Sequence, residues 1–365
     1  MFSENSHMNF FYVCFFIAAF IFSFLLNTLF LRFSHTLGIR DKKGTVIRWA
    51  STSKPALGGI SFYIIFLLSF TFYSMFFQPQ EILLNKKMLG LISTATIAFL
   101  MGLADDAYNT RPFLKLFVQI FCGIILCYYD IYINIFPSMP LNYGLTIFWV
   151  VAVMNSINML DNMDAISSIV AICNFSTALM LIYFSNELNN IHFIILIGMI
   201  ASLLGFLRFN WYPSKLYMGD TGSQVLGLLL ASFSIIYFWN DSTSKSETIS
   251  VTRQLVIVGL TFLLPISDTL AVIINRLLKK RSPFIGGRDH TTHHLFFRGV
   301  TERRIALLFA FLGLFSLFLV YIIKKHIPVW NYTHFFIFVT YGVIIFLFLF
   351  IITHLKKNIV NGHKK

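Results

Sequence analysis

Residues 149–184 read WVVAVMNSINMLDNMDAISSIVAICNFSTALMLIYF, two apolar segments divided by a polar patch that holds Asn155, Asn158, Asp161, Asn162 and Asp164. A helix that crosses hydrocarbon needs roughly twenty apolar residues, because every backbone N–H and C=O must find its partner inside the segment. The second segment, 166–184, has about that length, and the first reaches it when the span is followed over 142–160. The pattern recurs along the whole chain, and eleven spans are predicted near 9–31, 58–77, 88–104, 116–136, 142–160, 166–184, 191–207, 222–239, 254–274, 305–323 and 334–353. Composition agrees: of 365 residues 57% are hydrophobic, 17% aromatic and 12% charged, and the mean hydropathy is +0.75. These values lie outside the range of soluble globular domains. The expected fold is all-α: a polytopic integral membrane protein forming a single domain over 1–365, with no soluble domain and no internal repeat of the kind that builds many transporters.

The first span follows MFSENSHMN, which lacks the basic n-region of a cleavable signal and is expected to remain as a helix. Cys14, Cys122, Cys127 and Cys173 all fall inside spans without C-x-x-C spacing, and read as packing residues.

Eleven spans put the termini on opposite sides, and the positive-inside rule chooses the orientation. With the N-terminus outside, the inner loops hold 22 of the 28 Lys and Arg; the outer loops hold only Lys86, Lys87, Lys245, Arg253, Lys324 and Lys325. The net charge of +13 therefore reflects topology and anionic lipid, and no nucleic acid is needed to explain it. That orientation places every cluster of Asp, Asn and His on the inner face. The clusters are GLADDAYNT, NSINMLDNMDA, NWYPSKLYMGDTGS, PISDT and RDHTTHHLFFRG.

Asp105 and Asp106 end the third span, and adjacent carboxylates repel unless a cation or donors compensate them. A solvated loop start is the plainer reading. Lys115 could hold a phosphate oxygen or simply anchor the fourth span. Asn155, Asn158, Asp161 and Asp164 recur every third residue, drifting about 60° per step on a helix. Either the helix end tightens, or the first members face a metal and the last a different part of the substrate. Gly219 to Ser223 opens the eighth span, where free N–H groups favour an anion; a capping turn is the alternative. Asp268 must face the interior, since lipid exposure of a carboxylate costs a few kcal/mol, and an ion pair with Arg276 would be its structural role. His290, His293 and His294 share one helical face. They could hold zinc, but Arg288 and Arg298 flank them and suit diphosphate better.

Together these residues resemble the polyprenyl-phosphate N-acetylhexosamine-1-phosphate transferases, WecA-like and MraY-like, over about residues 37–300. The motif DD-x-x-[DN] is matched by Asp105 to Asn109, N-x-x-N-x-x-D-x-x-D by Asn155 to Asp164, and FN-x-x-P-[AS]-K-x-x-x-GD-x-GS by Phe209 to Ser223. Pro265 to Thr269 resembles the next motif, Asp289 to Leu295 the histidine loop, and Lys54 to Gly59 the glycine turn. Ala165 and Asn162 stand where the family often has Gly, and Asn109 replaces the third Asp of the strictest motif. The histidine loop is closer to the WecA-like branch.

The resemblance implies transfer of a sugar-1-phosphate, GlcNAc-1-phosphate above all, from a UDP-sugar to polyprenyl (undecaprenyl) phosphate, with release of UMP, at the cytoplasmic face of a bacterial inner membrane. It implies Mg2+, with Mn2+ as a substitute, held by Asp220 and Asn158. Asp105, Asp106 and Asp161 take the catalytic positions, the first two organising the metal site or the acceptor, and Asp164 takes the uracil end. Lys115, Arg288, His290, His293 and His294 hold substrate phosphates. The partners implied are the UDP-N-acetylhexosamine donor, the polyprenyl phosphate acceptor and the bilayer, with room for a homodimer. A cation- or proton-coupled transporter would also explain buried Asp residues, but its ionisable groups should reach the midplane and the outer face. A lipid-binding scaffold would call for basic rather than Asp-rich sites.

Overall fold

The computed structural model describes residues 2–33, 54–77, 85–185, 190–240, 248–282 and 287–355. Thirteen α-helices account for nearly all of them: α1 (Phe2–Phe33), α2 (Gly58–Phe76), α3 (Lys86–Tyr108), α4 (Pro112–Tyr128), α5 (Met139–Leu160), α6 (Ile166–Phe184), α7 (Ile191–Asn210), α8 (Gly219–Ser234), α9 (Thr248–Thr261), α10 (Leu263–Leu278), α11 (Thr291–Phe296), α12 (Glu302–His326) and α13 (Tyr332–His354). A π-helical turn, Ile235–Trp239, extends α8.

Nine helices among the described residues are long and apolar enough to cross a bilayer, and a tenth span results if α9 and α10 count as one. The expected eleven are not reached. The fourth span, expected over 116–136, is a helix of only 17 residues, at the lower limit for hydrocarbon; the chain after Tyr128 turns back and is not helical. The ninth span is not straight either: Val251–Thr261 and Leu263–Leu278 meet at 77°. Pro265 lacks the N–H that a continuous helix would aim at Thr261, and its ring would crowd that carbonyl, so the helix breaks a turn ahead of it.

Burial grades the helices. Of the apolar stretch of α8 with its π turn, 89% is inside the protein, against 17% for α13, so α8 is the hub and α13 a lipid-facing rim. Around α8 pack α2, α3, α5 and α6. The approach of α2 is possible only because both sides are glycine: a Cβ on Gly59 would lie 2.1 Å from the Gly222 nitrogen. Ahead of this crossing, Tyr217 N–H donates to the Pro55 carbonyl at 2.9 Å and Gly58 N–H to the Tyr217 carbonyl at 3.0 Å. The Lys54–Gly59 turn is thus tied to the lead-in of α8. Cys122, Cys127 and Cys173 are buried and unpaired, and Cys14 is exposed on α1.

Candidate active site

The last turns of α3 and α5 meet the first turns of α4 and α8. In α3, Asp105 accepts the Thr110 N–H at 2.8 Å and the Thr110 hydroxyl at 2.5 Å on one oxygen. The chain returns to it through Asn109, which ends α3 at φ 53 and donates its N–H to the Asp105 carbonyl at 2.7 Å. Asn tolerates this left-handed backbone better than most residues. Lys115, in the first turn of α4, lies 2.5 Å from the other Asp105 oxygen and 3.0 Å from Asp220 Oδ2. One ammonium therefore bridges two carboxylates. The Asn158 amide donates to the second Asp220 oxygen and to Ser223 Oγ at 2.8 Å.

Asp106 points to the start of α8. It accepts from Asp220 N–H at 2.9 Å, Thr221 N–H at 2.9 Å and the Thr221 hydroxyl at 2.6 Å. The helix start expected to hold an anion thus spends two of its N–H groups on the protein's own carboxylate, a cap supplied from another helix. Gly219, at φ +72, lies so close that a Cβ would meet the Asp106 carboxylate at 2.5 Å.

The four-residue series Asn155 to Asp164 splits between different partners. Asn155 turns to Gln119, donating at 2.7 Å, and Asn158 to Asp220, while α5 ends at Leu160. Asp161 accepts from Ser167 Oγ at 2.6 Å; burial pushes its carboxyl up to about 7, the Ser167 bond opposing and the charges of Asp106 and Asp164 adding. Asp164 takes the N–H and hydroxyl of Ser214, both at 2.8 Å. Lys54 lies 3.9 Å from Asp164, donates to Ser214 Oγ at 2.9 Å and stands 5.0 Å over the Tyr217 ring. Burial, then the Asp164 charge, lifts the Tyr217 hydroxyl to about 12. Sequence reasoning missed Lys54, Ser214 and Tyr217 as a unit, although Lys54 at the head of the glycine turn and Ser214-Lys215 in the Phe209–Ser223 motif were in view.

Asp268 does not pair with Arg276. It accepts from His290 Nδ1 at 2.8 Å, Thr291 N–H at 2.8 Å and the Thr291 hydroxyl at 2.7 Å, whereas Arg276 forms a two-point pair with Asp289 at 2.8 and 2.7 Å. Burial would raise Asp289; the guanidinium outweighs it and holds the carboxyl below its usual range. The rings of His290 and His293 are 5.4 Å apart, while the His294 ring packs edge-on against Phe297 at 6.1 Å. Burial, reinforced by His290, drives His293 down to about 3. Arg288 is exposed in the loop ahead of α11. Thr292 Oγ1 donates to Asn162 Oδ1 at 2.6 Å, joining the histidine helix to the Asp161–Asp164 turn. No group of three or more His, Cys, Asp or Glu side chains that could hold a metal occurs among the described residues.

The family described as glycosyl transferase family 4 matches residues 88–238, a stretch that includes Asp105, Lys115, Asn158, Asp161, Asp164 and Asp220. A probable undecaprenyl-phosphate N-acetylglucosaminyl 1-phosphate transferase of Bacillus subtilis (strain 168) is 26% identical over 287 residues, 76% of this chain and 75% of that protein. The undecaprenyl-phosphate alpha-N-acetylglucosaminyl 1-phosphate transferase of Escherichia coli O157:H7 is 28% identical over 301 residues, 77% of this chain and 76% of its own length. A phospho-N-acetylmuramoyl-pentapeptide-transferase of Streptococcus agalactiae serotype Ia is 29% identical over 205 residues, 51% of this chain and 60% of that protein.

Proposed function

Because the chain belongs to glycosyl transferase family 4, we propose that it moves N-acetylglucosamine-1-phosphate from UDP-GlcNAc to undecaprenyl phosphate at the cytoplasmic face of a bacterial inner membrane. The longer overlap with the N-acetylglucosaminyl relatives than with the muramoyl-pentapeptide one favours GlcNAc. An oxygen of the acceptor phosphate bonds to the donor's β-phosphorus as the bond to the bridging oxygen breaks, and UMP leaves. The obstacle is the approach of two anions and the charge on the departing phosphate, so the task is positioning and charge compensation.

The observation that carries this reading is the bridge of Lys115 between Asp105 and Asp220, with Asn158 on the far oxygen of Asp220. A cation already sits between carboxylates drawn from α3 and α8, with the Asn158 amide of α5 on the far side of Asp220. Two carboxylates and an amide suit Mg2+, which takes one or two protein carboxylates and completes its shell with water and substrate phosphate. Asp220 and Asn158 would hold it, and Asp105 would support it. Once bound, the ion would neutralise the β-phosphoryl oxygens. Lys115 would then turn to phosphate, as a point charge on a flexible stem can. Asp106 keeps the start of α8 in place, and Lys54, Asp164, Ser214 and Tyr217 form a cradle for the uracil end. His290, just ahead of α11, and His293 on it face the donor diphosphate. A cation- or proton-coupled transporter has no support among the relatives.

The test is release of UMP from UDP-GlcNAc by EDTA-treated membranes across a Mg2+ titration, with and without undecaprenyl phosphate. Release that needs both supports the reading; full release without any divalent ion sinks the metal assignment, and UDP in place of UMP sinks the reaction.

A further inference from the structure

Helix α11 spans six residues, Thr291–Phe296, far too few to hold itself in place. Its position is set by what grips it. On one side Asp268 takes the N–H and hydroxyl of Thr291 and the His290 ring. Beyond it, Arg298 donates to the Ile352 and Leu355 carbonyls at 2.8 and 2.6 Å, fixing it to the end of α13.

Toward the Asp161–Asp164 turn the grip comes from Asn162. Its Oδ1 accepts the Thr292 hydroxyl at 2.6 Å, its Nδ2 donates to the Met159 carbonyl at 2.9 Å, and its backbone carbonyl acts on the His293 imidazole. Thr292 is fully buried, so water cannot replace its partner, and both ends of the amide are satisfied in one orientation. Asn162 lies between Asp161, held by Ser167, and Asp164, held by Ser214.

We propose that Asn162 is a positioning residue: through Thr292 it fixes the distance between the histidine helix and the aspartate turn, so that the groups holding the donor diphosphate and those holding its nucleoside end act in one register. The inference rests on the proposed donor-phosphate role of His290 and His293. A positioning bond of this kind acts on the transition state more than on ground-state binding.

The experiment is a double-mutant cycle on purified full-length protein with Asn162→Ala, Thr292→Val and the pair, plus Thr292→Ser, which keeps the hydroxyl. Each single variant should lower kcat about tenfold, leave the donor KM within about twofold, and fall no further when the two are combined. Thr292→Ser should restore most of the loss. Without substrate, hydrogen exchange should quicken equally in both single variants and only over residues 287–296. Losses that multiply, wild-type kcat in either variant, failure of Thr292→Ser to rescue, or faster exchange spread through α5 and α6 would each overturn the proposal. Exchange needs no turnover: if the wild-type protein fails to transfer from UDP-GlcNAc, the proposed function falls while exchange still judges the clamp.

Discussion

The starts of α8 and α11 are built alike and differ in one residue's freedom. At α11 a carboxylate from another helix, Asp268, takes the N–H and hydroxyl of Thr291; at α8 another, Asp106, takes the N–H and hydroxyl of Thr221. The same grip recurs where Asp105 holds Thr110 and Asp164 holds Ser214. Four acids thus bind a Ser or Thr by two donors each, an arrangement that fixes backbone. Asp220 has no such partner. It is held by a flexible ammonium and one amide, contacts that a ligand can exchange. An intramembrane carboxylate is a candidate for chemistry, and its partners decide which of its oxygens are fixed and which can be exchanged: Asp105 is fixed through one oxygen and keeps the other on Lys115.

The largest effect expected from that contrast is at Asp220. Asp220→Asn should cut turnover by about a thousandfold or more, the scale of losing a main electrostatic contact to a transferring phosphoryl group. Its melting temperature should stay near wild type. Turnover and thermal unfolding of the same preparation check both; a variant that melts early would place Asp220 with the carboxylates that fix backbone.

Asp268→Asn should do the reverse. It removes the charge and sets an amide NH2 against the His290 ring, or else against the Thr291 donors, at a site with no solvent exposure, and a buried mismatch of this kind costs about 3 kcal/mol. Melting temperature should drop and turnover should fall with it, whether or not donor is present. Unchanged stability would contradict the account of α11.

At Asp161 the comparison can be sharpened by pH. Burial raises its folded carboxyl to about 7, against about 3.9 in an unfolded chain. The folded state binds the extra proton between those values, so stability is fully present below about pH 4 and is lost as pH rises to about 7. Melting temperature followed over that window should decline, and Asp161→Asn should flatten the decline; an identical slope in the variant would assign it elsewhere.

The smallest effect expected is at Ala165, which caps the turn at φ 68. Glycine relieves the left-handed backbone but gives up a buried methyl and adds chain entropy, contributions of about 1 kcal/mol each. Ala165→Gly should therefore shift stability by less than about 1 kcal/mol, read as a melting shift of a few degrees at most.

Much of this was legible in the sequence. Apolar length revealed the helices, and the ordered motifs pointed to Asp105, Asn158, Asp161, Asp164 and Asp220, of which Asp105 and Asp220 meet at Lys115 with Asn158 beside them. What could not be read was partnership. Spacing alone paired Asp268 with Arg276, one face away on the same helix, but Arg276 is taken by Asp289 and Asp268 by His290, because a bend at Pro265 and a loop return decide which groups meet. The ninth span, expected over 254–274, bends ahead of Pro265, and the fourth, expected over 116–136, is shorter because apolar residues continue past Tyr128 after the helix has stopped. Lys54 was hidden by distance: its partners Ser214 and Tyr217 lie about 160 residues on, joined only when α2 crosses α8 on glycine.

The central claim, that the exchangeable carboxylate at the start of α8 serves phosphoryl transfer, is tested most directly with UDP-GlcNAc carrying one radiolabel in the β-phosphate and another in the uridine. Incubated with purified protein, Mg2+ and undecaprenyl phosphate, the β-phosphate label should pass into the lipid and the uridine label into UMP in equal amounts, and Asp220→Asn should abolish both. Uridine label in UDP, with no phosphate label in the lipid, or a wild-type rate from Asp220→Asn, would contradict it.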